Sequence, residues 1–356
     1  MERIKTITMP SSLELRTALK FSCEMADIEE AGHYIFDFKH TRNTEPFAML
    51  LVSSEIRRLV DNHPNAEISC SNYEHMSYAA HMGFFQAFGL DHGKAPGEAK
   101  GGARYIPLRI FDCQALEREA ARKGIEVGEE IEENSNQMAK LLCGKSDGPI
   151  HETLTYSIRE LMRNVIEHSE ARRFGICAQY WPSKNKVEVA LLDRGIGLRE
   201  SLSVNPHVDT STDKEAIKFA LMPAISGKAF KGARVRQRGH WANSGFGLYM
   251  TNRICRNGGN FFIASGRSGI LLTSGREGKQ WFDSNLLGTA IRMVVRTDQL
   301  SGLRESLAKY RAEGYEFQKQ YQEIVNIDPS SASLMLAEDF DESVWQRIKM
   351  KLGISG

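Results

Sequence analysis

Apolar positions recur along this chain at two spacings, and the elements change where the spacing changes. From Leu154 to His168, the residues Ile158, Leu161, Met162, Val165 and Ile166 repeat at helical intervals. Glu160, Asn164, Glu167 and His168 fall at i, i+4, i+7 and i+8 and so share the opposite face of that helix. The β-branched and aliphatic run Val187–Leu192 reads as a buried strand, and it ends in Asp193. The first 112 residues alternate the two patterns. Strands are predicted at 6–9, 33–38, 66–70 and 105–111. Helices are predicted after a Ser11 or Ser12 cap, from Pro46 to Val60, and from Met76 to Phe88 with Gly89 as C-cap. Such alternation predicts a small α/β layer domain over 1–112. Residues 113–150 read as a helical connector broken at Gly124 and Gly128, and the tail from 301 to 356 as helical and charged. The fold class expected is α+β.

The candidate chemistry lies in the turns of the 151–300 segment. Asp193 is followed by Gly195 and Gly197, and a glycine admits positive φ and close approach of a flat ligand. A carboxylate at a strand mouth can accept a hydrogen bond from an exocyclic amine. In isolation the pattern is equally an ordinary strand exit. The polar face of the 154–168 helix is likewise a solvated face unless it lines a site. In the second case Asn164 offers Mg²⁺ a neutral oxygen, and Glu160 polarises an attacking water or hydroxyl. Gly245-Phe246-Gly247-Leu248 opens a further helix, whose free N–H groups favour phosphate. Gly288-Thr289 precedes the strand from Ile291 to Val295.

In this order and spacing, residues 151–300 resemble the ATP-binding domain of the GHKL superfamily, which includes gyrase B subunits, heat-shock chaperones, sensor histidine kinases and mismatch-repair ATPases. Glu160 and Asn164 match its N box, Asp193, Gly195 and Gly197 its first glycine box, Gly245 and Gly247 its second, and Gly288-Thr289 its trailing Gly-Thr. The resemblance implies a Bergerat-type sandwich, a helix layer on a mixed sheet. It implies ATP and Mg²⁺ as ligands. Asp193 would then bind the adenine amine, Asn164 hold Mg²⁺, Gly245 and Gly247 approach the phosphates, and Thr289 help close the base pocket. Phe246 stands where many members carry a smaller residue. The stretch between Leu198 and Ser244 takes the place of the ATP lid. Its cations are either a solvated basic loop or neutralise the γ-phosphate, with Lys228 and Arg234 the preferred candidates. The 1–112 unit is similar to STAS domains, with Thr44 where those often carry a phosphorylatable serine; an ordinary helix-start threonine is the competing reading.

Composition narrows the setting. A net charge of +1 gives no support to a nucleic-acid-coating protein. Six scattered cysteines without a CxxC pair favour reduced thiols, a cytoplasmic setting and no structural metal. No apolar run reaches membrane-spanning length, which counts against a membrane-bound sensor kinase. His151 reads as a surface residue rather than a phospho-acceptor. The function expected is an ATP·Mg²⁺ ATPase that switches a protein partner. An anti-sigma-type serine/threonine kinase and a non-catalytic nucleotide-gated scaffold are the alternatives, and homodimerisation stays open.

Overall fold

The structure is a computed structural model, and it describes residues 3–223, 225–227, 245–274, 278–300 and 302–321. The chain is α+β, built on two main sheets with helices between and beyond them. The first unit holds β1 (Ile4–Thr8), β2 (Ser12–Leu13), α1 (Leu15–Ala26), β3 (His33–Asp37), β4 (Asn43–Thr44), α2 (Pro46–Asn62), β5 (Glu67–Ser71), α3 (Ser77–His81) and α4 (Phe84–Ala87). β1, β3 and β5 form a parallel sheet in that order, and β2 pairs with β4. Neither Ser11 nor Ser12 caps α1. Glu14 does so through a reciprocal capping box with Thr17, because Ser12 is drawn into pairing with Asn43. The helix predicted over 76–88 is split at Gly83, whose φ of +88° turns the chain against Pro96.

Next come β6 (Tyr105–Asp112), α5 (Cys113–Lys123), α6 (Val127–Cys143) and α7 (Gly148–Asn164), which continues as a π turn over Val165–Ser169. β7 (Arg173–Trp181), β8 (Lys186–Asp193), α8 (Gly197–Ser203), α9 (Asp213–Ala220), α10 (Gly247–Arg256), β9 (Asn260–Thr273), β10 (Lys279–Arg296) and α11 (Leu303–Tyr321) follow. The large sheet runs β6-β7-β8-β10-β9 and is antiparallel throughout, not mixed as expected. The α8–α10 crossover carries the chain one strand too far, and β10 then turns back between β9 and β8. β6, expected in the first unit, is the edge strand of this sheet through its pairing with β7. α5 and α6 bury Leu116, Ile131, Met138 and Leu142 in the same core as α7, so they are part of the helical layer rather than a free connector. Gly124 ends α5 with φ +70°, whereas Gly128 is helical inside α6. His151 is buried and shares a hydrogen bond with Asn136 (3.2 Å), so it is not the surface residue expected.

The two faces of the large sheet bury different things. Val189, Leu191, Ile263, Ile291 and Met293 point at the α5–α7 and α10 layer. The alternate residues, Cys177, Ala190, Ala264 and Ala290, are small and face α1 and α2. Small side chains let a helix lie close: a Cβ on Gly175 would come within 2.6 Å of Leu50 Cδ1 on α2. Phe47 of α2 stacks edge-on against Phe262 of β9 at 5.4 Å, and Phe21 of α1 meets Phe36 of β3 at 6.4 Å. α2 is therefore enclosed between two sheets, which explains why its first half, Pro46 to Val52, is apolar all round. Its seam with the large sheet carries a buried ion network. Glu188, fully buried, takes Arg292 at 2.8 Å and Lys186 at 3.3 Å and accepts a hydrogen bond from the Phe47 N–H at the start of α2. Among the described residues, no helix is long and apolar enough to cross a membrane.

Candidate functional site

The π turn at the end of α7 and the turn after β8 lie against each other. Ile196 N–H donates to Ser169 O (2.8 Å), and a Cβ on Gly195 would sit 1.9 Å from that same oxygen. Only glycine permits this approach. A π turn widens the helix by one residue and often marks a functional site. Here it carries Val165, His168 and Ser169 onto the wall of a cleft that also takes in Asn164, Asp193, Gly197, Gly245, Gly247, Leu248 and Thr289. The hollow measures about 760 Å³ with its open mouth. Its inner walls are apolar, with Leu161, Leu191, Ile263 and Ile291 among them. Walls of that kind suit an apolar ring face.

Asp193 lies on the cleft wall. It is the last residue of β8, opposite Thr289 of β10 and Phe174 of β7, and it is 3% exposed. Burial pushes its carboxyl up to about 6, while backbone N–H donors from Gly195 (2.8 Å) and Thr289 pull the other way. Gly288 has φ +90°, and a Cβ there would meet Asp193 O at 2.3 Å and Arg194 Cα at 2.7 Å. Gly197 has φ +73° and faces Ser265 of β9. Ser265 accepts from Leu198 N–H and donates to Gly288 O, both at 2.9 Å, so it ties both glycine turns to the sheet. Sequence reasoning missed Ser265. Its signal was a lone hydroxyl at the end of the apolar run Phe261–Ala264.

Asn164 stands at the cleft wall with its side-chain Nδ2 buried and without a hydrogen-bond partner among the described residues. Its amide is thus free to turn either end to a ligand, and an oxygen donor suits Mg²⁺ held jointly with phosphates. Among the described residues no cluster of three or more His, Cys, Asp or Glu is placed to hold a metal.

Glu160 and Phe246 are placed otherwise than the sequence implied. Neither lines the cleft. Glu160 is paired with Arg159 at 2.9 Å and Arg163 at 3.7 Å, and a Cβ on Gly247 would fall 2.1 Å from its Oε2. Its carboxylate therefore lies beside the first turn of α10, where a negative charge is favoured by the helix dipole. Phe246 turns away from the cleft because an apolar cluster claims it: Tyr249 and Met250 of its own helix, Tyr156 of α7, and Leu307 and Tyr310 of α11. α11 is fixed there by an Arg253–Glu313 pair at 3.2 Å. Gly195 shapes the turn against Ser169 but is not itself on the cleft wall. Lys228 and Arg234 lie outside the described residues, as does the tail from 322 onward. Thr44 is half-buried in β4, remote in sequence and fold from this cleft, on a separate polar hollow of about 1120 Å³ with its open mouth, shared with Arg42, Glu45, Trp181 and Lys186.

No family model, no curated protein and no solved structure matches this chain.

Proposed function

We propose that the cleft takes the base of ATP and that the chain is a nucleotide-dependent switch of the GHKL type, its large sheet and helical layer forming a Bergerat-type sandwich. The observation that carries this reading is Asp193. It is a buried carboxylate on the wall of an apolar cleft, and its donors among the described residues are backbone N–H groups. Such a group has an unused acceptor position and a strong preference for a neutral N–H donor, which the exocyclic amine of adenine supplies. Guanine presents a carbonyl at that edge and would meet the carboxylate acceptor to acceptor.

The remaining roles follow from the neighbours. Val165, Leu191 and Ile291 would flank the ring. Thr289 would close its edge. Gly245 and Gly247 would let phosphate reach the N–H groups at the start of α10. Asn164 would hold Mg²⁺, which on binding neutralises phosphate charge. Glu160, paired with Arg159 and Arg163 and seated against the Gly247 turn, would act as general base toward an attacking water. The first unit would be the STAS-like module that meets a protein partner. Incubation with Mg²⁺ and γ-labelled ATP tests the reading. Labelled free phosphate supports the ATPase. Label on protein replaces it with a kinase, and neither product together with thermal stabilisation by ATP leaves a gated scaffold.

A further inference from the structure

The residue between the adenine-side carboxylate and its glycine has no place in the nucleotide reading. Arg194 points to the opposite face of the sheet from Asp193. Its Nε donates to Ser54 Oγ at 2.9 Å and its Nη2 meets Glu55 Oε1 at 3.2 Å, both on α2 of the first unit. The Glu55 side chain is wholly buried, and its other oxygen is held by Arg58 at 2.7 Å. The contact is thus a desolvated, two-point grip, unlike an exposed ion pair. On the nucleotide side, the Arg194 backbone is pressed under Gly288, where a Cβ would come within 2.7 Å of its Cα. A displacement of α2 would pull on the Arg194 side chain, and through it on the turn that carries Asp193 and Gly195 and packs against Gly288.

We propose that Arg194 is a positioning residue that couples the base pocket to α2, so that nucleotide occupancy and the state of the first unit influence each other. This rests on the nucleotide reading of the cleft. α2 is well suited to carry the coupling. It is enclosed between both sheets, and its far end is bonded to the large sheet through Phe47 N–H and Glu188. Coupling of this kind is reciprocal: whatever a partner does to α2 appears as a change in ATP affinity, and ATP alters α2 by the same factor.

The test combines calorimetry with amide hydrogen exchange on the full chain. Mg·ATP is titrated into wild type, Arg194→Gln, Glu55→Gln and the double variant. Each single variant is expected to bind about tenfold more weakly, within the usual range for coupled sites. The double variant is expected to be no weaker than either single one, since both remove one contact. Arg194→Lys, which keeps the charge but not the fork, recovers part of the loss. In wild type, ATP is expected to slow exchange across 46–62, a readout that needs no variant to fold. A structural role alone would lower the melting temperature of the variants, leave their ATP affinity at the wild-type value and leave exchange across 46–62 of wild type unchanged by ATP; that result overturns the proposal while the cleft reading stands. A wild type that binds no nucleotide removes both.

Discussion

Replacing Asp193 with asparagine is expected to make the protein more stable and a poorer binder at once. The Asp193 carboxyl moves from an ordinary 3.8 to about 6 because burial strips its charged form of water. A rise of about two units corresponds to about 3 kcal/mol held against the ionised folded state. Between those two values the folded chain keeps a proton that the unfolded chain has released. Stability therefore falls as pH rises through that window and stays lower above it. Asparagine carries no charge, and its oxygen can still accept from the Gly195 N–H that now bonds Asp193 at 2.8 Å. The variant should match wild type near about pH 4 and exceed it by up to about 3 kcal/mol at about pH 7, a gain of a few degrees in melting temperature for a chain of this length. ATP affinity should drop about 10- to 150-fold, the worth of a hydrogen bond to a charged acceptor. Wild-type affinity should itself weaken below about pH 6 as the carboxylate is protonated. Urea denaturation of the free protein at the two pH values, with calorimetry of ATP binding at both, measures all three. A variant no more stable than wild type at neutral pH, or one that binds ATP as tightly, refutes the reasoning.

Three further changes probe the cleft. Gly195→Ala places a Cβ 1.9 Å from Ser169 O, so it should cost at least about 2 kcal/mol of stability in a denaturant titration and abolish nucleotide binding. Glu160→Gln keeps the shape beside Gly247 but not the base; calorimetry should give near wild-type ATP affinity while a phosphate-release assay shows turnover lost. Asn164→Ala should remove the Mg²⁺-dependent part of ATP affinity, so that adding a chelator changes binding by wild type but no longer by the variant.

The parts of the large sheet that were legible, β8 and the end of β10 with their turns, have local determinants, whereas β7 (Arg173–Trp181) was not read as a strand at all. The strand before Asp193, the glycines at 195, 197 and 288, and the polar stripe of α7 each declare themselves within a dozen residues. The unread features depend on partners distant in sequence. The small side chains of Ala190, Ala264 and Ala290 acquire meaning only once α2 lies over them. β6 carries an ordinary strand pattern, and nothing in it says which sheet it joins. The π turn at 165–169 leaves no periodic signature, since one extra residue in a helix merely blurs the repeat. Glu160 and Asn164 share a helix face, yet the first is drawn aside by Arg159, Arg163 and the bare Gly247 backbone. Phe246 reads as part of a phosphate turn until α11 arrives to bury it.

The central claim, that an adenine nucleotide occupies the cleft lined by Asp193, is tested most directly by titrating Mg·ATP and Mg·GTP into the wild-type chain under identical conditions. Saturable one-site binding of ATP, with GTP at least about tenfold weaker because its carbonyl confronts the carboxylate, is the predicted result. Equal binding of the two, or heat from neither, contradicts the account.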